Sequence, residues 1–179
     1  QHGHMNAGGY DLYCKMLSEA VKEAKGIHTM EDFETTIDLT IDAFIPDTYI
    51  SNEYQKLDIY KRIAGIESQQ DYDDMLEELL DRFGEMPKAV LNLLAIARMK
   101  ALAHLSYVTE IKQLGRDMRI TLYEKAHIDP AGIPVLMQKY RRGLQFKAEQ
   151  EPKFIYTPQG RPLEALTDFL TELNSLVEE

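Results

Sequence analysis

Apolar residues recur at spacings of three and four over residues 10–24 (Leu12, Tyr13, Met16, Leu17, Ala20, Val21, Ala24), which predicts an amphipathic helix stopped at Gly26. Further on, Ile37, Leu39, Ile41 and Ala43 alternate with Asp38, Thr40 and Asp42, a period of two that predicts a half-exposed strand. Pro46 ends it, because proline has no N–H to give to a ladder. Helical spacing returns with Tyr54, Leu57, Tyr60, Ile63 and Ala64, and Asn52 and Gln55 are placed as a capping box.

The clearest periodic segment starts near Ser68, where Tyr72, Met75, Leu76, Leu79, Leu80 and Phe83 fall at i, i+3, i+4, i+7, i+8 and i+11 and Gly84 supplies a C-terminal stop. At about 100° per residue the centre of this apolar face lies roughly 30° from Tyr72, with Asp74, Glu78 and Asp81 on the opposite side and Arg82 on the border. Pro87 suits the first turn of a third helix through Val90, Leu91, Leu94, Ala97, Leu102 and Leu105, expected to be the buried central one.

Past Ser106 the pattern changes. Two β-like runs, 107–114 and 117–123, are joined by Gly115-Arg116 as a hairpin. Asp129 and Pro130 open a helix through Val135, Leu136 and Tyr140 that closes at Gly143, and short strands follow at 144–147 and 153–156. A last amphipathic helix carries Leu163, Leu166, Phe169, Leu170, Leu173 and Leu176. The expected fold class is α/β of the α+β type. A helical body with one N-terminal strand (9–105) precedes a small mixed unit with a C-terminal helix (106–179).

Charge adds a polarity to that division. The chain of 179 residues holds 20 Lys+Arg against 30 Asp+Glu, a net of −10. Residues 1–105 carry 19 acidic and 10 basic side chains (−9) and residues 106–179 carry 11 and 10 (−1), so the first part is an acidic body. An excess of that sign argues against a free-standing nucleic-acid binder, which needs Lys and Arg in surplus. Lys61, Arg62, Lys139, Arg141, Arg142 and Lys147 are too dispersed for a phosphate-tracking stripe and read as solvent-facing charges. Cys14 is the single cysteine, which excludes a disulfide framework, leaves too few thiolates for a Cys-based zinc site, and fits a cytoplasmic location. No run approaches the roughly 20 apolar residues of a membrane span, and the first six residues lack the features of a signal peptide. The start without an initiator methionine reads as a piece of a longer protein.

Catalytic chemistry finds no foothold. Neither a GxxxxGK[ST] loop nor a GxGxxG turn is present, and no GxSxG elbow accompanies His28, His104 or His127. His2 and His4, one residue apart without a nearby carboxylate or thiolate, make a poor metal site, and His104 reads as a residue at the edge of the core. Met75 and Leu76 interrupt the acidic cluster from Asp71 to Asp81, so it lacks the ligand order of a calcium loop. No catalytic residue, metal or cofactor is expected in this chain. The outward set Glu78, Asp81 and Arg82 is then either an intrahelical charge pair or a docking surface for an Arg-rich partner.

The chain resembles the C-terminal regions of the bacterial transcription-repair coupling factors. The likeness is carried by Gly9-Tyr10-Asp11-Leu12-Tyr13, Ile45-Pro46-Asp47-Thr48-Tyr49-Ile50, Leu57-Asp58-Ile59-Tyr60-Lys61-Arg62-Ile63-Ala64 and Glu78-Leu79-Leu80-Asp81-Arg82-Phe83-Gly84 with Pro87 after it. It covers residues 1 to about 105, and the tail follows only in general pattern. Gln1-His2-Gly3-His4 looks like the end of the motif that closes the family's translocase motor, so residues 1–8 would be the tail of that motor.

The resemblance implies a parent that is an ATP-dependent duplex-DNA translocase, using ATP and Mg in its motor, which displaces stalled RNA polymerase and recruits UvrA. This segment would be its regulatory C-terminal domain, folded back on the N-terminal UvrA-binding module and masking it. The family's contact on this side is an acidic residue, an aspartate and an arginine on one helix, matching Glu78, Asp81 and Arg82. Lys56 stands where family members commonly carry an Arg, and a lysine cannot reproduce a bidentate guanidinium contact. The alternative is an accessory unit that touches DNA or the motor directly. The fragment is not expected to bind DNA alone.

Overall fold

In the computed structural model, residues 33–178 are described. The helix expected over 10–24, His2, His4, Cys14 and His28 lie outside them. The chain divides into two units, one holding Thr40–Ala101 and the other Phe33–Leu39 with Leu102–Glu179. Among the described residues there are five helices and a five-stranded mixed sheet.

The first unit holds helices α1 (Glu53–Ala64) and α2 (Gln69–Phe83) and most of α3 (Lys88–Leu105), within which the unit boundary falls. Each start is fixed locally. The Asn52 side chain accepts from the Gln55 N–H at 3.0 Å and the Ser68 hydroxyl from the Asp71 N–H at 3.1 Å, satisfying donors that a helix N-terminus leaves open. Gly84 ends α2 at φ +84°, a backbone region that glycine occupies without a Cβ clash. α3 is the most heavily buried of the three, with Val90, Leu93, Leu94, Ile96, Ala97, Met99, Leu102 and Ala103 in the core, although Leu91 and Leu105 stay exposed.

The inner faces of α1 and α2 differ from the expected ones. On α1 the buried residues are Ile59, Tyr60 and Ile63, whereas Tyr54 is 86% and Leu57 52% exposed. Tyr60 helps to fix that choice, because its buried hydroxyl accepts from the Ile45 N–H at 2.8 Å and so needs no water. On α2 Met75 and Leu79 are buried and Leu80 is 56% exposed, so the buried face is turned by about 70° from the centre of the apolar residues.

The second unit is built on a sheet in the order β1-β2-β3-β5-β4. These strands are β1 (Thr36–Asp38), β2 (Val108–Leu114), β3 (Asp117–Leu122), β4 (Leu144–Lys147) and β5 (Lys153–Tyr156). β1 runs parallel to β2 and the remaining pairs are antiparallel. The strand expected over Ile37 to Ala43 is therefore three residues long, and it belongs to this sheet and not to the helical body. Burial still alternates through Leu39 and Ala43, but the ladder stops at Asp38. The hairpin forms as predicted, with Leu114 paired to Asp117 across Gly115 (φ +66°) and Arg116.

Register lines up one apolar row across the sheet: Ile37 with Ile111, Ile111 with Ile120, Ile120 with Phe154, and Phe154 with Phe146. Helix α4 (Gly132–Tyr140), followed by a single 3-10 turn (Arg141–Gly143), and helix α5 (Pro162–Asn174) complete the unit. From α5, Phe169 stacks on Tyr156 at 4.9 Å between ring centres and meets Phe154 and Tyr140 edge-on at 5.4 Å.

A candidate docking face on the second helix

Rotation of α2 decides what its polar side can do. With the buried face centred on Met75 and Leu79, Glu78 and Arg82 sit at its border and only Asp81 points well away. Arg62, in the last turn of α1, donates through both of its terminal nitrogens to the two oxygens of Glu78. Arg82 donates from Nη1 to Oε2 of the same carboxylate at 2.8 Å, as an i,i+4 pair. The two guanidinium hydrogen bonds, Arg62 first and Arg82 second, outweigh desolvation and hold the Glu78 carboxyl down at about 2. Glu78 has 30% of its side chain exposed, so this is a half-covered cluster at the surface.

Arg82 has a second support. Its guanidinium carbon lies 4.9 Å from the centre of the Phe83 ring, a cation–π contact, and Phe83 leans on Tyr49 at 5.8 Å. The Tyr49 hydroxyl lies against the Leu79 and Gly84 carbonyls, at 3.1 and 2.9 Å, and clasps the end of α2. Burial raises the pKa of that hydroxyl.

Of the three residues expected at the site, the structure joins Glu78 and Arg82 and leaves Asp81 exposed one residue away. Of the two readings of this set, the intrahelical charge pair forms between Glu78 and Arg82, and both Glu78 oxygens are engaged. One expectation needs correction. Arg62 is not a merely solvent-facing charge; it is the residue that engages both of those oxygens. A usable signal was present: only the short linker from Gly65 to Ser68 separates α1 from α2, so charged side chains of the two helices are candidates to meet. Lys56 is paired with Asp47 and lies 3.6 Å from Glu53. Burial alone lowers its pKa, yet the two carboxylates leave it above the ordinary lysine value. Its role is thus a point-charge tie between α1 and the turn at Pro46.

His104 is structural. Thr35 Oγ1 donates to the Val108 carbonyl at 2.7 Å, so the His104 Nδ1 at 3.2 Å is assigned as the donor to that hydroxyl, and its ring rests on Phe33 at 4.5 Å. Among the described residues no group of three or more His, Cys, Asp or Glu side chains could hold a metal ion, and no helix is long and apolar enough to cross a membrane.

The family described as the TRCF domain matches residues 39–133, more than half of the chain. The chain belongs to the TRCF domain family. The transcription-repair-coupling factor of Bacillus subtilis (strain 168) is 41% identical to this TRCF domain chain over 133 residues, 74% of the chain and 11% of that protein. The factor of the same name from Staphylococcus aureus (strain NCTC 8325 / PS 47) is 41% identical over 128 residues, 70% of the chain and again 11% of the relative. The chain therefore spans about a tenth of the length of these curated relatives. Its fold is similar to a crystal structure of the C-terminal domain of transcription-repair coupling factor, with a TM-score of 0.66 and 27% identity, covering 81% of this chain and 94% of that one.

Proposed function

We propose that this TRCF domain is the non-catalytic regulatory C-terminal domain of an ATP-dependent DNA translocase that couples transcription to nucleotide excision repair. It docks on the N-terminal UvrA-binding module of its own protein and masks it until RNA polymerase is engaged. Polymerase, UvrA, duplex DNA, ATP and Mg are then the business of other parts of a cytoplasmic parent. The names of the relatives and the likeness to a C-terminal domain of that factor support the setting. The observation that carries the docking reading is the position of Asp81 and Arg82, adjacent at the end of α2, with Arg82 held by Glu78 and Phe83.

Opposite charges side by side fix the orientation of a partner more than they add affinity. Exposed pairs are weak and screened by salt, which suits a latch that must open. The test mixes the chain with the separately prepared N-terminal module and follows binding by calorimetry. Binding is expected at low salt, and Asp81→Lys combined with Arg82→Glu should weaken it by about tenfold or more. Absence of binding, or indifference to the double reversal, overturns the reading. Duplex-DNA binding by the chain with a steep salt slope would favour the accessory DNA-contacting alternative instead.

A further inference from the structure

Glu78 carries one negative charge and is met by two guanidinium groups, so the trio Arg62–Glu78–Arg82 is net positive and Glu78 is not offered to a basic partner. The division of labour within the trio is unequal. Arg62 reaches from the neighbouring helix and grips both carboxylate oxygens, whereas Arg82 uses one nitrogen on one oxygen. An i,i+4 pair on a helix surface is too weak to order two long side chains by itself. A planar fork from a second helix restricts the carboxylate to one position, and a lysine in its place could not hold both oxygens.

We infer that Arg62 is a positioning residue of the docking face: by fixing Glu78 it fixes where the Arg82 guanidinium stands beside Asp81. The inference rests on the docking reading above and refines it. Among the described residues, Nε and Nη2 of Arg82 have no hydrogen-bond partner, and they remain available to an acceptor oxygen on the partner. Asp81 supplies the negative end, for a basic side chain. The charged groups facing the trio are Asp58 on α1, which acts on Arg62 through space, and Asp71 and Asp74 on α2, which line one hollow with Arg62.

The experiment compares the chain with its Arg62→Gln, Arg62→Lys and Glu78→Gln variants by two readouts. The first is a carbon-13 NMR titration of the Glu78 carboxyl in the chain alone. It should titrate near about 2 in the parent sequence and move up toward the ordinary carboxylate range in Arg62→Gln. The second is affinity for the N-terminal module, expected to fall about five- to tenfold in Arg62→Gln while the thermal melt drops by no more than about 4 °C, and to show no further loss when Arg62→Gln is added to Glu78→Gln. Arg62→Lys should recover less than half of the lost affinity on a logarithmic scale. A Glu78 carboxyl that stays low in Arg62→Gln, or additive losses in the double variant, overturns the positioning role. So does full affinity in Arg62→Gln beside a clear loss in Arg82→Ala. Failure of the unaltered chain to bind the module removes the docking reading itself, a different result from any of these.

Discussion

The two units carry 12 acidic side chains each among their described residues, yet they use charge and apolar mass in opposite ways. In the helical unit those acids face 7 basic residues, a net of −5, and α2 alone, with 6 acids against Arg82, accounts for all of it. In the sheet unit they face 10 basic residues, and the distinctive feature is internal: Phe146, Phe154, Tyr156, Tyr140 and Phe169 form one connected set of rings. The contrast teaches where each unit keeps its specificity. A ring cluster defines one packing and nothing outside itself. A charged helix border adds little to stability but defines what can approach.

Substitutions can break or sharpen that contrast, starting from the largest effect. Phe169→Ala removes a fully buried ring with three aromatic neighbours and should cost about 3–5 kcal/mol in urea unfolding. A loss under about 1 kcal/mol would mean that the rings do not carry the sheet unit. Next, Leu79→Ala should cost about 2–5 kcal/mol and Leu80→Ala no more than about 0.5, because one is fully buried and the other more than half exposed. Equal losses would return α2 to the orientation its apolar residues alone suggest.

The smallest effect is the pH dependence of Glu78. Its carboxyl is depressed from 4.5 to about 2 in the folded chain, so its contribution is present above the ordinary value and is lost as pH falls toward 2. At this exposure it should be no more than about 1 kcal/mol. The stability gap between the parent chain and Glu78→Gln should therefore be open at neutral pH and narrow through that window. A gap independent of pH would show that Glu78 contributes through packing instead.

Local signals in the sequence were legible and contact-dependent ones were not. Asn52, Ser68 and Gly84 act within one turn of their own helices, and Gly115-Arg116 joins strands that follow one another, so periodicity and turn chemistry find all of these. The parallel pairing of β1 with β2 links Ile37 to Ile111, and nothing near either residue announces it. On α1 and α2 the wheel counts Leu57 with Ile63 and Leu80 with Leu79 as equals, because it weighs side chains and not neighbours. Tyr60 and Arg62 break those ties through contacts with Ile45 and Glu78. The candidate site was legible as three residues on one helix. That one of them is already bound from the next helix was not.

The strand pairing also sets an order of events during synthesis. Everything from Thr40 to Ala101 lies between two strands that are neighbours in one sheet, so the described part of the helical unit is an insertion within the sheet unit. At about 5–20 residues per second, the ribosome delivers Ile111 roughly 4–15 s after Ile37. Helical hairpins with contacts close in sequence form far faster than that. The inserted helices can therefore be complete while β1 is still an unpaired edge.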